Sequence, residues 1–156
     1  MESFLENYLD RLEELHRDAM RAFDGLPLEA LDWSPGEDVP SICILVNHIT
    51  GAERYWIGDV AGGVPSDRNR DAEFRSHGES AATLRKRIQD VQNFEKNLLS
   101  KITLYDLEKV CVSPRTGRRF DVGWALLHAL EHTALHLGHI QIISQLWKQQ
   151  HESAAS

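Results

Sequence analysis

The amino-acid sequence predicts an all-α protein, an up-down four-helix bundle with long connectors. Four segments repeat apolar residues at steps of three and four, each is roughly 20–28 residues long, and proline, glycine or polar stretches separate them. At 1.5 Å per residue, such helices are about 30–40 Å long, and rods of matching length pack most simply as a bundle. We expect the four helices at residues 3–23, 41–61, 80–102 and 121–148.

The connectors between these helices differ in character. Prolines interrupt residues 25–40, which we expect to form a connector with one short helical turn at 28–31. Ser41 follows the last of these prolines and is a candidate cap for the second helix. Residues 64–78 are polar and predict a loop. Residues 103–120 leave two alternatives open, a short strand and turn or an extended loop.

The composition is that of an ordinary globular chain, and it excludes several classes of function. The 156 residues are 42% hydrophobic and 26% charged, and we expect one domain over residues 1–150 with a frayed tail at 151–156. A net charge of −7 argues against a nucleic-acid surface, which needs clustered Lys and Arg. No window approaches the ~20 apolar residues of a membrane span, and no secretory signal is visible. Two cysteines indicate a reduced, cytoplasmic protein.

Histidines on the last helix are the main chemical signal in the sequence. His128, His132, His136 and His139 fall within about 80° of one another around that helix, on a face that also carries apolar residues. One histidine on an apolar face is usually a hydrogen-bonded core residue. Four are harder to satisfy in that way, because each buried imidazole needs partners for both ring nitrogens. A divalent cation would satisfy several of these nitrogens together.

Two histidine pairs on this helix compete for such a cation. His132 and His136 are four residues apart, and so are His128 and His132, which lie in the H-x-x-E-H pattern of inverted zinc peptidases. A third ligand must come from another helix, and His48 is the best placed because it is on an inward-facing arc of the second helix. His16 is a weaker candidate. Three protein ligands leave a coordination position open for chemistry.

Two segments resemble known signatures of the DinB superfamily. The last helix carries HALEHTALHLGHIQI, which is similar to that family's paired H-x-x-x-H followed by Leu/Arg-Gly-Gln-Ile. LVNHITGAERYWIGDVAGG resembles the family's second-helix signature, and LDWSPGEDVPS resembles its approach to that helix. The resemblance covers the whole chain in order, and the fold it implies is a DinB-like helical bundle. One departure is His139, which stands where the family often has Gln and leaves a fourth ligand open.

The resemblance implies a metal site and a range of activities. It implies metal ligands at His48, His132 and His136, a bound Zn, Ni or Fe ion, and frequent homodimers. It also implies transferase or isomerase chemistry that uses a low-molecular-weight thiol (bacillithiol, mycothiol or glutathione), and we expect transfer of such a cosubstrate to small electrophiles. The alternatives are a non-catalytic metal-binding or stress-response module and, third, a metal-dependent hydrolase. The partner is then a small molecule, with neither nucleic acid nor membrane.

Several residues near these motifs have simpler structural interpretations. We interpret Tyr55 as a core aromatic residue and Asp59 as a helix-end acid. Glu53 and Arg54 project away from His48, and we expect them to make surface or interface pairs. On the last helix, three leucines lie opposite the histidine face, so this helix is either central in the bundle or covered by a second subunit of a homodimer; they are Leu126, Leu130 and Leu137.

Overall fold

The computed structural model describes residues 1–154 and the side chains as far as residue 151. Residues 155 and 156 of the predicted tail lie outside the described residues, and the single-domain assignment stays a prediction. The elements are α1 (Ser3–Ala22), α2 (Leu28–Asp32), α3 (Ile42–Glu53) with a π-helical continuation (Arg54–Ala61), α4 (Arg70–Glu73), α5 (Ala81–Leu99), a 3₁₀ turn (Leu104–Asp106), β1 (Val110–Val112), β2 (Arg119–Asp121) and α6 (Val122–Ala154).

The four long helices form the predicted all-α bundle. α1 packs against α5 and α6, and α3 packs against the same two helices, so α1 and α3 lie on one diagonal and α5 and α6 on the other. The connector from α1 to α3 and the connector from α5 to α6 therefore each cross the bundle end. This arrangement explains why both connectors are long.

Two of these helices begin at the residues predicted from the sequence, and each has a serine side chain as its N-terminal cap. The Ser41 hydroxyl accepts a hydrogen bond from the Ile44 backbone nitrogen at 3.3 Å, and Ser80 does the same for Thr83 at the start of α5. Each cap satisfies a backbone donor that has no partner inside the helix. The second predicted helix is confirmed in its span, but its last eight residues are π-helical, which its apolar pattern does not indicate.

The structure shows which conformation each connector between the long helices adopts. Residues 25–40 contain the expected short helix, α2. Within 103–120 the strand alternative is correct, because β1 pairs antiparallel with β2, with Cys111 opposite Phe120. The prediction of a plain loop at 64–78 is wrong in part: Asn69 caps the short helix α4 by accepting from the Ala72 backbone nitrogen. Polar composition alone does not reveal such a turn.

α6 packs within this chain against α1, α3 and the π-helical segment. The three leucines opposite its histidine face pack inside this chain. Leu126 is buried in an apolar cluster against which Leu130 is partly buried, and Leu137 is buried in a second cluster. A homodimer stays a prediction without support from these residues. Among residues 1–154, no helix combines the length and the apolar character needed to cross a membrane.

Candidate metal centre

Three histidines from two neighbouring helices meet at one side of the bundle. His48 comes from α3, and His132 and His136 come from successive turns of α6. Each offers a ring nitrogen within 4.8 Å of the other two, which makes the set a candidate site for a metal ion. The structure therefore brings together the three residues that the sequence singled out, and their role as ligands stays a prediction.

The closest approach in this group suits a shared cation. Nε2 of His48 lies 3.1 Å from Nε2 of His132. Two nitrogens that bind one cation at about 2.0–2.1 Å lie roughly 3 Å apart, so little rearrangement is needed. His48 is buried, whereas His132 and His136 are partly exposed, so one side of the group is open to solvent.

A carboxylate and an arginine fix the orientation of His48. Nδ1 of His48 lies 3.0 Å from Oε2 of Glu73, and Arg68 binds both oxygens of Glu73 through its Nε and Nη2 atoms at 2.6 and 2.8 Å. Because an ionised carboxylate only accepts, His48 must donate from Nδ1, which leaves a lone pair on Nε2. A carboxylate behind a ligating imidazole is a common arrangement in metal sites.

The charges around Glu73 keep its carboxylate ionised. Burial raises the pKa of Glu73, but the hydrogen bonds from Arg68 and His48 outweigh that effect and hold the pKa below its usual value. The contact of 3.3 Å between Arg68 Nη2 and His48 Nδ1 brings two donors together, so we read it as proximity rather than a bond.

The two imidazoles on α6 are neutral and so have lone pairs for a cation. Burial lowers the pKa of His132 to about 3, and the neighbouring imidazoles add to the shift. Burial also lowers the pKa of His136 to about 4, with further contributions from His48 and His139. Nδ1 of His132 is buried and has no hydrogen-bond partner among the described residues. Neutral nitrogen donors of this kind fit a divalent transition metal.

The other histidines on α6 lie beside this group rather than within it. Nδ1 of His139 is 3.2 Å from Nδ1 of His136, so it can orient that ring. His128 stacks on Trp124 with ring centroids 4.9 Å apart, and its Nδ1 is 3.9 Å from the carboxylate of the exposed Glu131. His48 therefore lies with the pair His132 and His136, and not with the H-x-x-E-H pair His128 and His132.

The remaining histidines lie elsewhere. His16, the weaker candidate for a third ligand, is buried and contacts Glu53 instead. Exposed His77 contacts the Arg75 carbonyl, and exposed His151 contacts the Trp147 carbonyl. Tyr55 is buried as expected, with its hydroxyl 2.6 Å from the Ser113 hydroxyl.

A groove of about 820 Å³ has Arg68 and Glu73 in its lining. Its lining comes from α3, α5 and the 64–78 segment, and it mixes four cationic with four acidic side chains, namely Arg54, Arg68, Lys86, Arg87, Asp67, Glu73, Glu79 and Asp90. Sequence reasoning missed Glu73 and Arg68. They lie in a polar stretch with no periodicity, where nothing in the pattern marks them.

Solved structures similar to this chain share its fold at low sequence identity. YfiT from Bacillus subtilis, described as a probable metal-dependent hydrolase with an unusual four-helix bundle topology, superposes with a TM-score of 0.73 at 14% identity, covering 94% of this chain and 90% of that one. A conserved protein from Enterococcus faecalis gives 0.72 at 13% identity, with coverage of 94% and 97%. The DinB-like YjoA from Bacillus subtilis gives 0.69 at 16%, with coverage of 90% and 91%.

The family assignment comes from sequence. No curated protein matches the chain. The DinB superfamily matches residues 11–140, which include α3 with His48, α5, and the part of α6 that carries His132 and His136. The chain therefore belongs to the DinB superfamily.

Proposed function

We propose that this protein is a metal-dependent enzyme whose divalent cation is held by His48, His132 and His136. The observation that carries the proposal is the meeting of three imidazoles, two of them neutral by their depressed pKa values, on a face that is partly open to solvent. A purely structural site would be sealed by a fourth protein ligand. Zn, Ni and Fe all accept such a nitrogen donor set.

A bound divalent cation supplies Lewis acidity that lowers the pKa of a thiol or water beside it. The protein's own residues prepare the site for it. Glu73 holds the Nδ1 proton of His48 and so presents Nε2 toward His132. Arg68 keeps Glu73 ionised, and the opposite charges of this pair balance each other next to the site.

The specific activity we propose is thiol S-transfer to a small electrophile. Support comes from membership of the DinB superfamily and from the resemblance of both histidine motifs to its signatures. The cosubstrate would be bacillithiol, mycothiol or glutathione, each a small polar molecule, and the groove lined by Arg68 and Glu73 offers it charged side chains of both signs. Two free cysteines fit a reducing, cytoplasmic setting in which such thiols occur.

A second candidate is metal-dependent hydrolysis. YfiT, which has the same fold, is described as a probable metal-dependent hydrolase. At the same open site, a bound cation would activate water as the nucleophile instead of a thiol. The two candidates differ in one requirement, since only the transferase needs an added thiol.

Metal content tests the ligand set before any activity is measured. Tag-free protein purified without chelator is analysed for metals as wild type, His48→Ala, His132→Ala and His136→Ala. We expect each variant to lose the metal of this site. His128→Ala is the matched control, one turn away on α6, and should retain it. Retention in His48→Ala with loss in His128→Ala would overturn the ligand assignment.

Activity assays then separate the candidates. Metal-loaded protein is mixed with 1-chloro-2,4-dinitrobenzene and each of the three thiols, and separately with p-nitrophenyl acetate without thiol. Consumption of the electrophile only with a thiol, abolished in His132→Ala, supports the transferase. Ester hydrolysis lost in the same variant supports the hydrolase. If neither reaction depends on His132 while metal removal lowers only the thermal stability, the enzyme proposal fails in favour of a non-catalytic module.

A further inference from the structure

A second group of buried polar residues lies at the centre of the bundle, apart from the three-histidine group. All four long helices contribute one residue to it: His16 from α1, Glu53 from α3, Glu95 from α5 and Thr133 from α6. The exposed fractions are 0%, 0%, 1% and 0%. The four form a layer between two apolar halves of the core, since one apolar cluster includes Leu12, Ile57 and Leu99 and the other includes Ala19, Ile49 and Ile88.

The hydrogen bonds within this layer leave several polar atoms without partners. Nε2 of His16 lies 2.8 Å from Oε1 of Glu53, and the Thr133 hydroxyl donates to the same oxygen at 2.5 Å. The remaining atoms Nδ1 of His16, Oε2 of Glu53 and Oε1 of Glu95 are buried with no hydrogen-bond partner among residues 1–151. Buried polar atoms in folded proteins are nearly always paired, so three in one cluster call for a missing partner.

The charge of the layer points to what that partner is. Two carboxyl groups face one imidazole in a site without solvent, and burying unpaired carboxylates is strongly unfavourable. Each of the two carboxyl groups has an oxygen within 4.8 Å of one on the other, so two negative charges there would repel each other. A positive charge in the layer would remove this repulsion, and a divalent cation would neutralise both carboxylates.

We propose that His16, Glu53 and Glu95 form a second divalent-cation site inside the bundle. Each offers one ligand atom within 4.8 Å of the others. One imidazole nitrogen and two carboxylate oxygens suit a first-row transition cation such as Mn²⁺, Fe²⁺ or Zn²⁺. Carboxylate and histidine ligands projecting inward from facing helices are a recurrent way to build metal sites in bundle cores. Thr133 orients Glu53 from the fourth helix.

This site is independent of the proposed function, because it shares no ligand with the three-histidine group. Its burial means that the cation must be incorporated as the chain folds. The test therefore unfolds the protein in guanidinium with chelator and refolds it with Mn²⁺ or with chelator alone. His48→Ala/His132→Ala removes the first site and isolates the second.

The expected result is a bound-Mn²⁺ signal in electron paramagnetic resonance of the refolded double variant, at one equivalent per chain. Wild type should then hold two equivalents, and Glu95→Gln, which keeps the shape of the side chain, should hold one. Glu6→Gln on the exposed side of α1 is the matched control and should keep two. Circular dichroism checks that each variant folds.

Two outcomes would overturn the second site. One is a folded double variant that shows only free Mn²⁺ after refolding. The other is an unchanged metal content in Glu95→Gln with a gain in thermal stability, which would show that a proton shared by the two carboxyl groups, rather than a cation, completes the layer. If Glu95→Gln does not fold, the signal of the double variant alone decides.

Discussion

Nδ1 of His48 lies 3.0 Å from Oε2 of Glu73, across 25 residues of sequence. This contact links the buried ligand candidate on α3 to the short helix α4. Arg68 completes the link by binding both carboxylate oxygens. The tautomer of His48, and with it the availability of Nε2, is therefore set by a segment that contributes no ligand of its own.

Glu73→Gln should weaken metal binding by about 10–100-fold, in line with the effect of removing such outer partners in other metal sites. The amide keeps the size of the side chain but removes the charge that holds the Nδ1 proton of His48. Competition with a chromophoric chelator measures the change. Asp71→Asn, an exposed residue of the same short helix, is the control and should leave the affinity unchanged. Equal affinities for wild type and Glu73→Gln would show that Glu73 has no positioning role.

Gly51→Ala should disturb the same contact from the other side. A Cβ atom at Gly51 would lie 2.8 Å from Cδ of Glu73 and closer still to Oε1, so the carboxylate must move. We expect metal affinity to fall by about as much as in Glu73→Gln. The free energy of unfolding should fall little, because Ala favours the helix more than Gly does. Gly138→Ala on α6 is the control, because a Cβ there meets no atom within 4 Å. It should stabilise the protein by about 0.5–1 kcal/mol in chemical denaturation and leave metal affinity unchanged.

The difference between Glu73 and the histidines shows what the sequence could predict. His132 and His136 are visible because their four-residue spacing places both on one helix face, and His48 because it lies on an apolar helix. These are local patterns. Glu73 and Arg68 reach the site only through the path of the 64–78 segment, which has no periodicity that could be read. The fold class was predictable for the same reason as the histidines, since it depends on four periodic segments.

Glu53 is a residue whose surroundings the sequence analysis predicted wrongly. The prediction that it makes surface or interface pairs is wrong: it is fully buried and contacts His16 and Thr133. It does project away from His48, but α3 is buried on nearly every side, so that direction leads to the bundle centre. Its neighbour Arg54 lies over the ring of Phe94, 3.5 Å from the centroid. Helical angle alone does not say which faces of a central helix are covered.

Cys43 should be unreactive at neutral pH. Burial raises the pKa of its thiol to about 11, so the reactive thiolate is scarce at pH 7 and increases about tenfold per pH unit up to that pKa. Cys111→Ser leaves Cys43 as the single thiol, and we expect that variant to resist iodoacetamide at pH 7 and to react faster as pH rises. Rapid labelling of the folded variant at pH 7 would contradict this.

The raised pKa values of the two protein thiols bear on the proposed transferase. Burial also raises the pKa of Cys111, whose sulfur lies 3.3 Å from the Phe120 carbonyl oxygen. We therefore expect the thiol of the proposed transferase to come from an external cosubstrate. Cys43→Ser/Cys111→Ser should keep the thiol-dependent activity of the wild type, provided that it folds. Loss of activity in a folded double variant would assign the nucleophile to the chain itself.

Removal of metal should lower the melting temperature, and the effect should depend on His136. A ligand that binds only the folded state stabilises it by RT ln(1 + [L]/Kd), or about 2.7 kcal/mol when the free metal is 100 times Kd. The protein is melted by differential scanning calorimetry with excess Zn²⁺ and with chelator, as wild type and as His136→Ala. We expect the metal-dependent rise to shrink or vanish in the variant, because one of three imidazoles is missing. His139→Ala leaves the three nitrogens in place and should keep most of the metal-dependent rise in melting temperature.

An equal rise in wild type and His136→Ala would show that the stabilising cation binds at another site. The buried layer of His16, Glu53 and Glu95 is then the main candidate.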